Sequence, residues 1–127
     1  DKWDENFTDQ WNTQLFRQAQ RYPDLPLSSK VKGVVSLYDV SDDWIPIYDK
    51  SKLPGFYMAI GSSGNQYKNA PVAGVLMADL IEACEGGHNH DKDPLGVNLR
   101  YINREINLGF YSRNRVINSE SSMSVLG

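Results

Sequence analysis

Five consecutive apolar residues, Phe56-Tyr57-Met58-Ala59-Ile60, lie between Pro54-Gly55 and Gly61. A run of that length between turn residues reads as a strand buried on both faces. It leads into Gly61-Ser62-Ser63-Gly64-Asn65-Gln66-Tyr67-Lys68-Asn69-Ala70-Pro71 and then into a long apolar stretch that reads as a helix. In open α/β sheets, ligands sit beyond the carboxyl ends of such strands, where the following helix offers its N-terminus. The pattern predicts half of a cofactor or substrate site in this turn.

The rest of the composition narrows the class. A length of 127 residues fits one domain with a modest core. Thirteen basic and sixteen acidic residues are interspersed, for a net charge of -3, which argues against a nucleic-acid surface. No apolar run approaches the roughly 20 residues of a membrane span, and no signal-peptide pattern is present. The single cysteine, Cys84, rules out an internal disulfide framework and fits a reducing, cytoplasmic compartment. The sequence opens on Asp1 rather than methionine, which fits a piece trimmed from a longer chain.

Phe7, Trp11, Leu15 and Ala19 recur every four residues before Tyr22-Pro23, predicting an amphipathic helix over 7–21 that docks on a core. Residues 23–30 read as a linker, so 1–30 form one region and 31–127 another. The β-branched residues from Val31 to Val40 predict a strand, and Trp44 to Tyr48 a second one, with Pro46 favouring an edge. With the run at 56–60 these make three strands. A largely buried helix is expected over 70–85, with Asn69 as N-cap, Pro71 in the first turn and Gly86-Gly87 at its end. Val97, Leu99 and Tyr101 alternate as in a short strand, and the polar end from Asn118 to Ser124 reads as a surface tail. The fold class expected is α+β.

Lys68 carries the chemical argument. A helix N-terminus bears about half a positive charge, so a neighbouring lysine is disfavoured by a few tenths to about 1 kcal/mol. The pairing makes sense where an anion, or a group becoming anionic, lies between the two. A solvated loop lysine explains the same position without any ligand, and both readings stand at this level.

The segment Gly61 to Pro71, preceded by Pro54-Gly-Phe-Tyr-Met-Ala59, resembles the C-terminal flavin-contacting segment of FAD-dependent amine and amino-acid oxidoreductases. The likeness is to the D-amino-acid oxidase superfamily, in its sarcosine oxidase, dimethylglycine dehydrogenase and glycine oxidase branch. Upstream, Leu37-Tyr-Asp-Val-Ser-Asp-Asp43-Trp-Ile-Pro-Ile47 is similar to that branch's Tyr-x-x-Thr-Pro-Asp-x-x-Pro-Ile element, in the family's order and at about its spacing. The resemblance covers 33–85. It implies the C-terminal portion of a two-domain FAD-binding oxidoreductase, with 31–127 contributing a strand, glycine turn and helix of the flavin domain and strands of the substrate domain. It further implies flavin contacts from Gly61, Ser63, Gly64, Asn65, Gln66, Tyr67 and Lys68, with Lys68 also pairing with the substrate carboxylate. The reaction implied is hydride transfer from a C–H beside an amine nitrogen to flavin, on a small amino acid or N-methyl amino acid. No catalytic base is assigned.

The departures are informative. Ser36 stands where some sarcosine oxidases attach flavin through cysteine, so FAD would be held non-covalently there. Ser41-Asp42 replaces the family's Thr-Pro. No Gly-x-Gly-x-x-Gly is present, so the ADP half of FAD would be bound by a dinucleotide-binding N-terminal partner segment. Alone, the chain is expected to be inactive and to self-associate.

Other signals are weaker. His88, His90, Asp91 and Asp93 cluster on a glycine-flanked loop, read as a surface loop without a functional metal. Asp42-Asp43 reads as a turn cap, Cys84 as a small core residue, and Arg113 and Arg115 as partners for carboxylates. The rival functions are a stand-alone anion-binding or interaction domain, and a purely structural domain in which the glycine turn is a connection.

Overall fold

The computed structural model describes residues 2–24, 26, 32–64 and 66–123. The chain divides into two compact units, 1–37 and 38–127.

In the first unit, α1 spans Asp9–Arg21. Thr8 precedes it in extended conformation, Asp9 and Arg21 complement the helix dipole at the two ends, and Tyr22 leaves helical geometry before Pro23. No residue of α1 is buried. Phe7 and Trp11 stack on each other at 5.9 Å. Gly33 lies close to both rings, where an added Cβ would meet Trp11 at 3.0 Å.

The second unit has α+β architecture. Strand β1 (Ile47–Lys50) pairs antiparallel with β2 (Tyr57–Ile60), with Ile47 opposite Ile60 and Lys50 opposite Tyr57. A 3-10 turn (Gln66–Asn69) runs into α2 (Ala70–Glu85). Strands β3 (Gly96–Leu99) and β4 (Arg104–Asn107) form a second antiparallel pair, followed by a 3-10 turn at Leu108–Tyr111. Tyr48, Leu76, Leu80, Val97 and Leu108 are the buried hydrophobic centre, with Met77, Cys84 and Tyr111 packed around it. On α2 the inward positions 73, 76, 77, 80 and 84 follow the spacing of one helical face.

Pro71 sits in the first turn of α2, as expected. At the other end, Gly87 adopts φ +95, its N–H donates to Cys84 O, and His88 N–H donates to Ala83 O. This is the Schellman arrangement that glycine at C′ permits.

Several expectations are corrected. Residues 32–40 contain no strand, and Val31 lies outside the described residues. Tyr38 and Asp39 are engaged by side-chain contacts with the 61–64 turn rather than by a ladder. The second strand occupies 47–50 instead of 44–48, because Trp44 takes φ 60 and Pro46 has no N–H to donate. Of the run at 56–60, residues 57–60 form β2 as an antiparallel partner of β1 rather than a strand buried on both faces, and Ile60 remains 48 % exposed. Helix α2 is buried along one stripe only, with Val72, Val75 and Ile81 exposed. Asn69 is helical (φ -92, ψ -6) and does not cap, because the 3-10 turn before it continues into α2. Among the described residues no helix is long and apolar enough to cross a membrane.

Candidate functional site

The turn after β2 is shaped by three left-handed residues, Gly61 (φ 69), Ser63 (φ 50) and Gly64 (φ 82). Two glycines and a small serine are the residues such a path tolerates most readily. Gly64 is required for a second reason: a Cβ there would lie 2.8 Å from the Tyr38 ring.

The turn is held from below by one carboxylate. Asp39 accepts the N–H of Gly61 at 2.7 Å and of Ser62 at 3.0 Å, and also the Ser62 hydroxyl. Ser63 N–H donates to Asp39 O at 3.0 Å. The Ser62 hydroxyl and backbone together hold the Asp39 carboxyl below its ordinary range. Sequence reasoning missed Asp39 as a site residue. Its only signal is a carboxylate in the Tyr-Asp-Val element, and nothing local joins it to a turn 22 residues away.

The seven residues assigned by resemblance divide accordingly. Gly61 and Ser63 already donate to Asp39, and Ser63 is buried with its hydroxyl on Gly61 O. Asn65 lies outside the described residues. Gln66 Oε1 accepts from Asn69 Nδ2 at 2.8 Å and from Tyr48 Oη at 3.4 Å, tying the 3-10 turn to β1. Tyr67 is 96 % exposed and Lys68 stands beside it, also exposed. Lys68 makes no ion pair among the described residues. Among the described members of the seven, Gly64, Tyr67 and Lys68 are exposed, the last two next to the entry of α2.

Two buried ionic clusters lie elsewhere in this unit. Asp43 accepts Arg115 Nη2 at 2.6 Å and Nε at 3.0 Å, with Ile45 N and Asn118 N each at 3.2 Å. This pairing holds the Asp43 carboxyl far below its usual range. The cap role expected of Asp43 is present in the Ile45 bond, and the tail backbone at Asn118 is tied down rather than free. The second cluster centres on Asp49, fully buried on β1, which accepts Ser112 Oγ at 2.9 Å, Arg113 N at 2.8 Å and Arg113 Nη1 at 3.0 Å. Asp91 joins it through Lys50 at 2.7 Å and Arg113 at 2.8 Å, so both arginines do pair with carboxylates.

The 86–94 loop lies at the surface as expected, but His90 is the exception, turned inward and 1 % exposed. Its Nδ1 accepts Leu95 N–H at 3.1 Å, so in the neutral ring the proton sits on Nε2, which is 3.7 Å from Asp49 Oδ1 and without a hydrogen-bond partner among the described residues. Burial holds the imidazole below its ordinary pKa despite the nearby carboxylates. His88 points elsewhere, donating from Nε2 to Asp93 O at 2.8 Å. The two imidazoles are thus committed to the loop's own backbone. Among the described residues no group of three His, Cys, Asp or Glu side chains converges as a metal site would.

No protein-family model, curated protein or solved structure matches the chain.

Proposed function

We propose that residues 57–85 supply the segment facing the pyrimidine edge of the flavin in an FAD-dependent oxidoreductase acting on the amine of a small amino acid or N-methyl amino acid. One observation carries the reading: Lys68, exposed and without a counter-ion among the described residues, sits where a preformed glycine turn enters a 16-residue helix. A cation beside the positive end of a helix suits an anionic neighbour. The exposed ring of Tyr67 and the ammonium of Lys68 fit a planar group with a negative edge.

FAD, when bound, supplies the hydride acceptor. Lys68 attracts the substrate carboxylate and favours negative charge at the pyrimidine edge. Asp39 keeps the turn in shape by holding the N–H groups of Gly61 and Ser62. The ADP half of the cofactor would be held by a dinucleotide-binding segment whose fingerprint this sequence lacks. The uncovered apolar face of α2 (Val72 39 %, Val75 46 % exposed) supports such a partner.

The test is Lys68→Met in the full-length gene product. A charge-assisted hydrogen bond is worth about 1.5–3 kcal/mol, so kcat/KM on a carboxylated amine should fall roughly 10- to 150-fold. An amine lacking the carboxylate should be much less affected. Unchanged rates on both amines, or a full-length product that carries no FAD, would refute the proposal.

A further inference from the structure

Between the first turns of α2, β1 and the 108–111 turn lies a cavity of about 350 Å³. Small-molecule pockets begin near that size. Trp44, Tyr48, Phe110 and Tyr111 form aromatic walls, and Ala73 lies where a longer side chain would fill the space. Among the described residues no charged side chain lines it, whereas the Lys68 end of the turn is cationic. The polar groups in its wall are neutral amides and hydroxyls. Asn69 donates from Nδ2 to Gln66, and its carbonyl oxygen accepts nothing among the described residues.

Trp44 adds an independent observation. It adopts φ 60, a conformation that a bulky side chain rarely takes. Its surroundings enforce that geometry. Trp44 N–H donates to Ser41 O at 3.1 Å, Ser41 Oγ to Ile45 O at 2.7 Å, and Arg115 Nη2 to Ile45 O at 2.8 Å. This left-handed backbone brings an indole to the cavity wall at a position where glycine or asparagine would make the same connection with less strain. Opposite it, Tyr48 and Tyr111 pack at 5.1 Å, and Phe110 stands edge-on to Tyr111 while 54 % exposed.

We infer that this cavity is a binding site for a neutral, planar aromatic or heteroaromatic molecule that carries an N–H donor. Aromatic walls favour stacked or edge-to-face rings. The absence of charge disfavours a zwitterion, which would lose its hydration without gaining a counter-charge. The Asn69 carbonyl provides the acceptor for the donor.

Titrating the full chain with indole, followed by ¹H–¹⁵N NMR, tests the site. Saturable shifts are expected at the Trp44 ring N–H and the Asn69 amide, with a dissociation constant of about 1 mM or tighter. Ala73→Leu, a favourable helix residue, should weaken binding at least about tenfold. 1-Methylindole, which has no donor, should bind several-fold more weakly. Should Ala73→Leu fail to fold, Trp44→Gly relieves the left-handed backbone and removes the wall, and the same loss is expected. The inference is overturned by shifts confined to other residues, by no saturation below about 10 mM, by undiminished binding in either folded variant, or by equal binding of 1-methylindole.

Discussion

Replacing Asp43 by asparagine probes the shortest ion pair among the described residues, 2.6 Å to Arg115 Nη2. Asp43 is fully buried, and the Arg115 side chain is 8 % exposed, so water does little to screen the pair. The asparagine would keep one acceptor oxygen, for either the Ile45 N–H on Oδ1 or the Asn118 N–H on Oδ2, and its NH₂ would leave the buried guanidinium without its counter-charge. Breaking a buried pair from one side costs about 3–5 kcal/mol. Domains of this size are stable by about 5–15 kcal/mol, so a fifth or more of the total is at stake. At about 4–8 °C per kcal/mol, Tm should fall by roughly 12–40 °C. Urea unfolding followed by circular dichroism measures the loss directly, and the double variant Asp43→Asn/Arg115→Met should recover more than half of it, since the stranded cation is gone. The pH dependence supplies a second readout. The folded carboxyl lies well below the unfolded value of about 3.9, so its stabilisation is complete above about pH 5 and is lost as pH falls toward the folded pKa. Asp43→Asn should flatten that acid slope. A loss under about 1 kcal/mol with the slope unchanged would mean that the pair behaves as a solvated one, and the reasoning fails.

His90 titrates in the opposite sense to an ion-paired histidine: burial lowers its pKa, the unfolded chain takes the proton first, and stability should decline as pH drops below about 6.5. An NMR titration in which the His90 ring gains its proton at or above that pH would contradict this. Gly74 and Gly87 should respond to alanine with opposite signs. At Gly74, inside α2 with open space around it, alanine should stabilise by about 0.5–1 kcal/mol; at Gly87, with φ +95, it should destabilise by about 1–2 kcal/mol. Shifts of the same sign in urea midpoints would show that backbone conformation does not control these two sites.

Local physics was readable in the sequence wherever the determining neighbours are close in the chain. The extent of α2, from Ala70 to Glu85, follows from Pro71 in its first turn and Gly86-Gly87 beyond its end, and the Schellman hydrogen bonds connect residues no more than five apart. The strand at β3 and the partnership of both arginines with carboxylates were also legible, though not which carboxylate each would take. Long-range pairing decided the rest. Val31 to Val40 has strand composition, but a strand needs an edge to bond to. In the structure Tyr38 and Asp39 are held through side chains on Gly64, Gly61 and Ser62 instead. His90 reads as a wet loop residue in the sequence, yet β1 brings Asp49 beside it and buries both. Trp44 looks like an ordinary strand residue until Ser41, Ile45 and the far-downstream Arg115 fix its backbone. Composition and short-range periodicity thus determined both helices and their C-terminal ends, because proline and glycine act over one turn, while the expected Asn69 cap and a start at residue 7 were not realised. The ionic clusters, the floor of the glycine turn and the aromatic cavity were decided by tertiary structure, because each joins residues from distant segments and buries charges or rings that no single segment can cover.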